Sequence, residues 1–272
     1  MRIRGATQRV APIETVDDVM DNVQGFVQKQ FGSVAENYRS SSVHASGEDL
    51  TRMVEAAKLT GSERVLDAGC GAGHTALAFA PHAAEVVAYD LTPTMLEQVN
   101  QLAAERGVSN VVTREGDVEH LPFEDGEFDL VVSRYSAHHW GNPAAALREF
   151  RRVLKPGGHF ILSDIVSSDV PVIDTYLQVI EVLRDPSHVR DHSIAQWKAM
   201  LAESGFDAEV IFTWRLPLNF DAWVMRMATP EPQVAMLKTM FNIAPGEVRA
   251  AFDVQPDYTF TLDGALILAR LQ

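Results

Sequence analysis

Between residues 64 and 164, short apolar runs alternate with stretches whose apolar residues recur at helical spacing. The runs cover 64–68, 85–90, 110–113, 128–133 and 158–164, and the helical stretches cover 74–80, 93–106 and 142–153. Phe128-Asp-Leu-Val-Val-Ser133 is apolar almost throughout rather than alternating, the mark of a strand covered on both faces. Such strands separated by helices predict a parallel sheet with crossover helices, and Leu154-Lys-Pro-Gly-Gly158 predicts the turn into the fifth strand. Upstream, Met20, Val23, Phe26, Val27 and Phe31 predict a helix that Gly32 ends, and a second helix spans 46–59 with acids in its first turn.

Beyond Asp164 the rhythm changes. Helices are predicted over 170–184 and 193–205, then a strand over 206–216. An insertion at 219–252 follows, with two helical segments striped by Phe220, Trp223, Val224 and Met227 and by Val234, Leu237, Met240 and Phe241. Residues 258–262 and 264–269 predict a last strand antiparallel to the others. The expected fold is α/β: a doubly wound, mostly parallel seven-stranded sheet with an antiparallel last strand and a helical lid. One domain over 20–272 is expected, with a helical cover (20–60), a ligand-binding core (61–165) and a lid region (166–272). Residues 1–19, aperiodic and basic at the start, are expected to be a disordered extension.

The first strand ends in Val65-Leu-Asp-Ala-Gly-Cys-Gly-Ala-Gly73, an acid followed by glycine at every second position. Without a Cβ at Gly69, Gly71 and Gly73 the backbone turns sharply and its N–H groups can approach a ligand. Asp90 ends the second strand, where its carboxylate can accept two ribose hydroxyls, and Asp117 follows the third, where it can meet the exocyclic amine of an adenine. Dinucleotide folds show G-x-G-x-x-G, whose helix start holds a pyrophosphate. Here the third glycine comes one residue early, and an acid at the loop entrance suits an ammonium and repels phosphate.

The pattern Asp67-x-Gly69-x-Gly71-x-Gly73 closely resembles the first motif of class I S-adenosylmethionine-dependent methyltransferases. The span from Phe31 to Asp164 resembles the ubiquinone/menaquinone C-methyltransferase-like branch, including its Phe…Ala…Tyr stretch ahead of the glycine loop. That resemblance implies a Rossmann-like fold and S-adenosyl-L-methionine as cofactor, leaving as S-adenosyl-L-homocysteine. It implies Asp67, Gly69 and Gly71 near the methionine, Tyr38 and His44 closing over it, Asp90 and Leu91 at the ribose, Met95 on the adenine face, and Asp117 with Val118 at its edge.

After the fourth strand, Ser133-Arg-Tyr-Ser-Ala-His-His-Trp140 brings a guanidinium, Arg134, and two imidazoles to the cofactor edge. Methyl transfer from a sulfonium is an in-line displacement, so an enzyme must align a nucleophile and, for a hydroxyl, remove its proton. A histidine suits that task. Asp164 ends the next strand, so His138 and Asp164 form a candidate oriented base, as in small-molecule O-methyltransferases that the segment resembles. The other reading of His138 is a residue that binds without moving a proton. His139 is expected to stack or hydrogen-bond and is a candidate substrate contact. In Leu183-Arg-Asp-Pro-Ser-His-Val-Arg190, His188 and Arg190 are candidate substrate contacts, against a plain capped loop.

The chain has 272 residues, 46% of them hydrophobic, enough for a full core. Its formal charge of −14 disfavours nucleic acid, as does Ser133-Arg134-Tyr135 where nucleic-acid methylases carry an Asn-Pro-Pro-Tyr-type motif. No segment reaches the roughly twenty apolar residues of a membrane span, so a cytoplasmic location is expected. The single cysteine, Cys70, allows no disulfide and no thiolate metal site, reads as a small packing residue, and excludes the multi-thiol arsenite methyltransferases. No metal is expected. The reading is therefore methyl transfer to a small, largely apolar acceptor, on oxygen or carbon. A fold that keeps the pocket but does other chemistry, or only binds, is the alternative. A homodimer stays open.

Overall fold

The computed structural model describes residues 22–39 and 47–272, with side chains omitted for 36–39. The expectations for residues 1–19, for the Tyr38 side chain and for His44 lie outside the described residues. In chain order the elements are α1 (Val23–Arg39), α2 (Glu48–Ala57), β1 (Arg64–Ala68), α3 (His74–Phe79), β2 (Glu85–Asp90), α4 (Pro93–Arg106), β3 (Val111–Glu115), β4 (Phe128–Arg134), α5 (Pro143–Val153), β5 (Leu154–Ile165), α6 (Pro171–Arg184), α7 (Ile194–Glu203), β6 (Phe206–Leu218), α8 (Phe220–Arg226), α9 (Glu231–Ile243), α10 (Gly246–Ala251) and β7 (Phe260–Leu271). Single 3-10 turns lie at Ala80–His82 and Ala137–His139.

The sheet order is β3-β2-β1-β4-β5-β7-β6, with β1 to β5 parallel and β7 antiparallel to both its neighbours. The seven strands, their mostly parallel sense and the antiparallel last strand are as the sequence predicts. Register explains the unbroken apolar runs. Leu66, Val87 and Val131 stand side by side and turn to one face, into a core with Phe150, Phe160 and Trp197. Val65, Val86 and Leu130 turn to the other, against Met53, Phe79 and Val99. Each central strand is thus apolar on both sides because helices bury both sides.

The helices follow their sequence signals closely. Asn142 caps α5 by accepting from the Ala145 N–H, Pro143 occupies the first turn, and Ala146, Leu147, Phe150 and Val153 form the buried stripe. Ser193 and Gln196 make a reciprocal capping box on α7.

Two predictions of extent fail for tertiary reasons. Helix α1 runs through Gly32 to Arg39, because Phe31 and Ala35 pack against Ala72 and Met95 and hold the helix across the glycine. The insertion forms three helices rather than two, and it has its own core of Phe220, Trp223, Leu237, Phe241 and Val248 against Leu177 and Ile180 of α6. That core also takes in Phe260 and Leu262, which fixes the insertion to the start of β7.

The strand order reverses between β1 and β4. Their carboxyl ends therefore open onto one crevice, where open α/β sheets hold ligands. Helix α1 lies across it: Gln24 donates to Asp117 (3.2 Å), Gln28 to the Leu91 carbonyl (2.7 Å), and Gln30 to the Met227 carbonyl in the insertion (3.3 Å). Among the described residues no helix is long and apolar enough to cross a membrane.

Candidate active site

The glycine loop is built by close approach. The N–H groups of Gly69 and Cys70 both donate to the Tyr89 carbonyl, at 2.8 and 3.0 Å, which folds the end of β1 onto β2. Gly69 has φ 73°, and a Cβ there would stand 1.9 Å from Ser136 Oγ in the turn after β4. Gly69→Ala is therefore expected to push this turn away from the loop. The expected result is destabilisation of about 1–3 kcal/mol together with weakened cofactor binding, read by thermal melting and calorimetry. Unchanged binding would show that the loop does not line the ligand.

Around the loop lies a cleft of about 950 Å³, its open mouth included. Gly69, Cys70, Gly71, Asp90, Leu91, Met95, Asp117, Val118, Arg134 and His139 all line it. Of the described residues expected at the cofactor, Asp67 does not line the cleft. It is 1% exposed, and neither carboxyl oxygen accepts a well-formed hydrogen bond among the described residues. Burial pushes its pKa up to about 7, the Ala76 N–H opposes this, and the charge of Asp90 adds to it.

Asp90 accepts from the Gly71 N–H through Oδ2 and from the Thr92 N–H through Oδ1, each at 2.8 Å. The Thr92 hydroxyl and the Leu91 N–H also approach this carboxylate. Burial raises its pKa, and these amides partly counter the rise. Asp117 accepts from Gln24 through Oδ2 and from the Glu119 N–H through Oδ1. Burial also pushes the Cys70 thiol up, with Asp90 and Asp67 adding to it, so this cysteine stays a thiol and packs as a small apolar group.

Arg134 reaches Asp49 of α2 through two nitrogens, Nε to Oδ2 at 2.6 Å and Nη2 to Oδ1 at 3.2 Å. The side chains are 2% and 5% exposed, and Ser163 at the end of β5 donates to the same carboxylate at 3.2 Å. The guanidinium also lies over the Tyr135 ring, 4.6 Å from its centroid. Tyr135 has φ 51°, a left-handed backbone that is rare for a bulky residue and characteristic of functional turns.

A second cavity, of about 540 Å³ with its mouth, adjoins the first. Tyr135 and His139 line both. Its far wall is apolar, with Ile165, Leu216, Leu218, Trp223 and Leu262. Its near wall carries His138, Glu181, Arg184, Asp191 and Arg226. His138 Nδ1 meets Asp164 Oδ1 at 2.8 Å, and the Ala137 and Ile165 amides donate to the same carboxylate. Burial disfavours charge on His138, but the Asp164 carboxylate and the hydrogen bond outweigh it and raise the pKa to about 9.

His139 goes the other way, to about 4, through burial and the charge on its neighbour. Its Nδ1 hydrogen-bonds the Ser187 carbonyl at 3.1 Å, and Phe31 packs edge-on against its ring. His188 and Arg190 line neither cavity. His188 packs behind His138 and hydrogen-bonds Gln178, and Arg190 pairs with Asp174 at 2.6 Å. One donor atom each of His138, Asp164 and Asp191 lies within 4.8 Å of the others.

The sequence reading missed Gln24 and Val27 of α1, Tyr135 and Trp140, and the acids and arginines of the second cavity, whereas Phe31 opens the Phe…Ala…Tyr stretch it singled out. The β4 end offered a signal for Tyr135 and Trp140, since both lie in the segment already singled out there.

Comparison with known proteins agrees with this geometry. Residues 66–162 match a family model described as a methyltransferase domain. The chain is 42% identical to an uncharacterized methyltransferase of Bacillus subtilis, YcgJ, over 82% of this chain and 88% of that protein. The crystal structure of YcgJ superposes with a TM-score of 0.80, covering 83% of this chain and 98% of that one. The ubiquinone/menaquinone biosynthesis C-methyltransferase of Proteus mirabilis is 31% identical over 62% of this chain and 68% of its own length. With the glycine loop, the strand-end acids and the 3-2-1-4-5-7-6 sheet all in place, the chain belongs to the class I S-adenosylmethionine-dependent methyltransferases, in the ubiquinone/menaquinone C-methyltransferase-like superfamily.

Proposed function

We propose that the protein methylates an oxygen or carbon of a small, largely apolar acceptor held in the second cavity, with S-adenosylmethionine in the first. The observation that carries this reading is the shared wall: the two cavities meet at Tyr135 and His139, with His138 just inside the second. The residues of the first cleft fit the cofactor. Asp90 is a buried acid in the cleft wall whose charge also raises the proton affinity of Asp67 buried nearby, so the cleft favours an ammonium and a sulfonium over a pyrophosphate. The Asp90 carboxylate, in the cleft wall at the end of β2, suits ribose hydroxyls as hydrogen-bond acceptor. Met95 would lie against the adenine face, Asp117 with Val118 would meet its edge, and the Gly69–Gly71 backbone would hold the methionine portion, all of them lining the cleft. When bound, S-adenosylmethionine supplies an electrophilic methyl on a positively charged sulfur, whose carbon–sulfur electron pair leaves with the sulfur.

The protein's own task is alignment and control of one proton. Leu216, Leu218, Leu262 and Trp223 keep water from one side of the acceptor. The His138–Asp164 pair assists deprotonation: held as an imidazolium at neutral pH, it favours the ionised form of an adjacent acceptor hydroxyl. A relative named for ubiquinone and menaquinone biosynthesis supports a quinol-like acceptor.

The test is calorimetric titration with S-adenosylhomocysteine, alongside methyl-transfer assays. His138→Gln is expected to bind S-adenosylhomocysteine as the parent does and to lose about a hundredfold in kcat/KM. A parent protein that binds neither S-adenosylmethionine nor its product would overturn the reading.

A further inference from the structure

Of the charged groups in the wall of the second cavity, Glu181, Arg184, Asp191 and Arg226 take no part in the proposed function, and one of the two acids has an oxygen unpartnered among the described residues. Asp191 is 2% exposed and lines this cavity, and its Oδ2 has no hydrogen-bond partner among the described residues. A buried carboxyl oxygen without a partner costs free energy, and such a group in a cavity wall marks where a ligand supplies the partner. The backbone that carries it is held in place. Gln178 of α6 grips both backbone groups of Asp191, accepting from its N–H at 3.1 Å and donating to its carbonyl at 2.8 Å. The groups that face it are His138 and Asp164 from the sheet edge, Glu181 and Arg184 from α6, Arg226 from α8, and His188 on its own loop.

We propose that Asp191 is the catalytic base, taking the proton of an acceptor hydroxyl that lies between its Oδ2 and the His138 ring. The acceptor is then a phenol or hydroquinone, its ring against the apolar wall of Leu216, Leu218, Leu262 and Trp223. The proposal rests on the methyltransferase reading above and deepens it by naming the group that takes the acceptor's proton. A hydroxyl fits this place, because it can donate to an ionised Asp191 and accept from a protonated one.

Two neighbours divide the work. Asp164 already accepts from His138 and from two backbone amides, so it has no role as proton acceptor. His138 carries its own proton at neutral pH and serves the developing oxyanion as a positive charge. Burial pushes Asp191 well above the ordinary carboxylate range, which strengthens it as a base toward a phenol. In the step, the acceptor O–H bond breaks, the proton bonds to Asp191 Oδ2, and the electron pair stays on the oxygen that takes the methyl. Asp191 returns the proton to solvent when product leaves.

The experiment measures kcat/KM against pH for transfer to catechol, hydroquinone and menadiol by the wild type, Asp191→Asn and His138→Gln, with S-adenosylhomocysteine affinity measured for each. The wild-type profile is expected to rise as Asp191 loses its proton and to fall above about pH 9 as His138 loses its own. Asp191→Asn is expected to keep S-adenosylhomocysteine affinity, lose about a hundredfold or more in rate and lose the acidic limb. His138→Gln is expected to keep the acidic limb and lose the alkaline one. Difference infrared spectra on acidification supply a readout apart from activity: a protonated-carboxyl band present in the wild type and missing in Asp191→Asn.

An acidic limb that persists in Asp191→Asn, or vanishes in His138→Gln, overturns the assignment. So does activity abolished by a chelator and restored by a divalent cation, which would make the cluster a metal site. Binding of S-adenosylhomocysteine with no transfer to any of the three acceptors refutes the substrate class and leaves the methyltransferase reading intact. Absence of S-adenosylhomocysteine binding removes both.

Discussion

Replacing Asp90 by alanine is expected to weaken S-adenosylhomocysteine binding by at least about a hundredfold. Hydrogen bonds to a charged group contribute about 1.5–3 kcal/mol each, so losing two ribose contacts costs roughly 3–6 kcal/mol, or two to four powers of ten in Kd. The same change removes the acceptor of the Gly71 and Thr92 amides, so the glycine loop loosens as the ribose partner disappears. Both effects act in one direction. Calorimetric titration reads the result directly, and a Kd within tenfold of the wild type would mean that the ribose does not sit at Asp90. The contrast with His138→Gln, which should leave this affinity unchanged, separates cofactor cleft from acceptor cavity.

The second large effect concerns stability. Arg134→Ala leaves Asp49 buried and without its guanidinium, at a place where the two side chains are 2% and 5% exposed. Breaking a buried ion pair by removing one partner costs about 3–5 kcal/mol. For a protein of this size each kcal/mol moves the melting temperature by about 2–4 °C, so a fall of roughly 10 °C is expected. Arg270→Ala is the control: its pair with Glu209 is 55% exposed on both sides and should change the melting temperature by no more than a degree or two. Scanning calorimetry of the two variants decides the matter. Equal melting temperatures would show that the Asp49–Arg134 pair does not hold α2 to the sheet.

What the sequence made legible, and what it hid, divides by range. The parallel strands were readable because burial on both faces writes a local signature, as in Val65-Leu66 and Phe128–Val132. The strand-end acids Asp90 and Asp117 were readable for a related reason, since a strand that ends in a carboxylate beside a glycine loop constrains the chemistry there. The joining of Arg134 to Asp49 across 85 positions leaves no such trace, and Asp49 reads as a first-turn acid of α2. Glu181, Arg184 and Asp191 were missed because charged residues on a helix and its following loop look like a solvated face. Only the insertion, folding over them, makes them a cavity wall. Conversely His188 and Arg190, which look exposed and reactive in sequence, are taken up by Gln178 and Asp174. Helix α1 outran its glycine because packing against Met95 outweighed a propensity penalty of about 1 kcal/mol.

The pairing of β6 with β7 runs from Phe206↔Leu271 to Leu218↔Phe260, so the chain leaves and re-enters the sheet at neighbouring positions. The three helices between Leu218 and Phe260 thus enter and leave the sheet through one paired doorway, and they pack on α6 and bond to α1. Such a segment can be transplanted. Exchanging it for the corresponding stretch of a relative would replace Trp223 and Arg226 in the wall of the second cavity while leaving Asp90, Asp117 and the glycine loop untouched, so one contiguous segment can vary that wall independently of the first cleft.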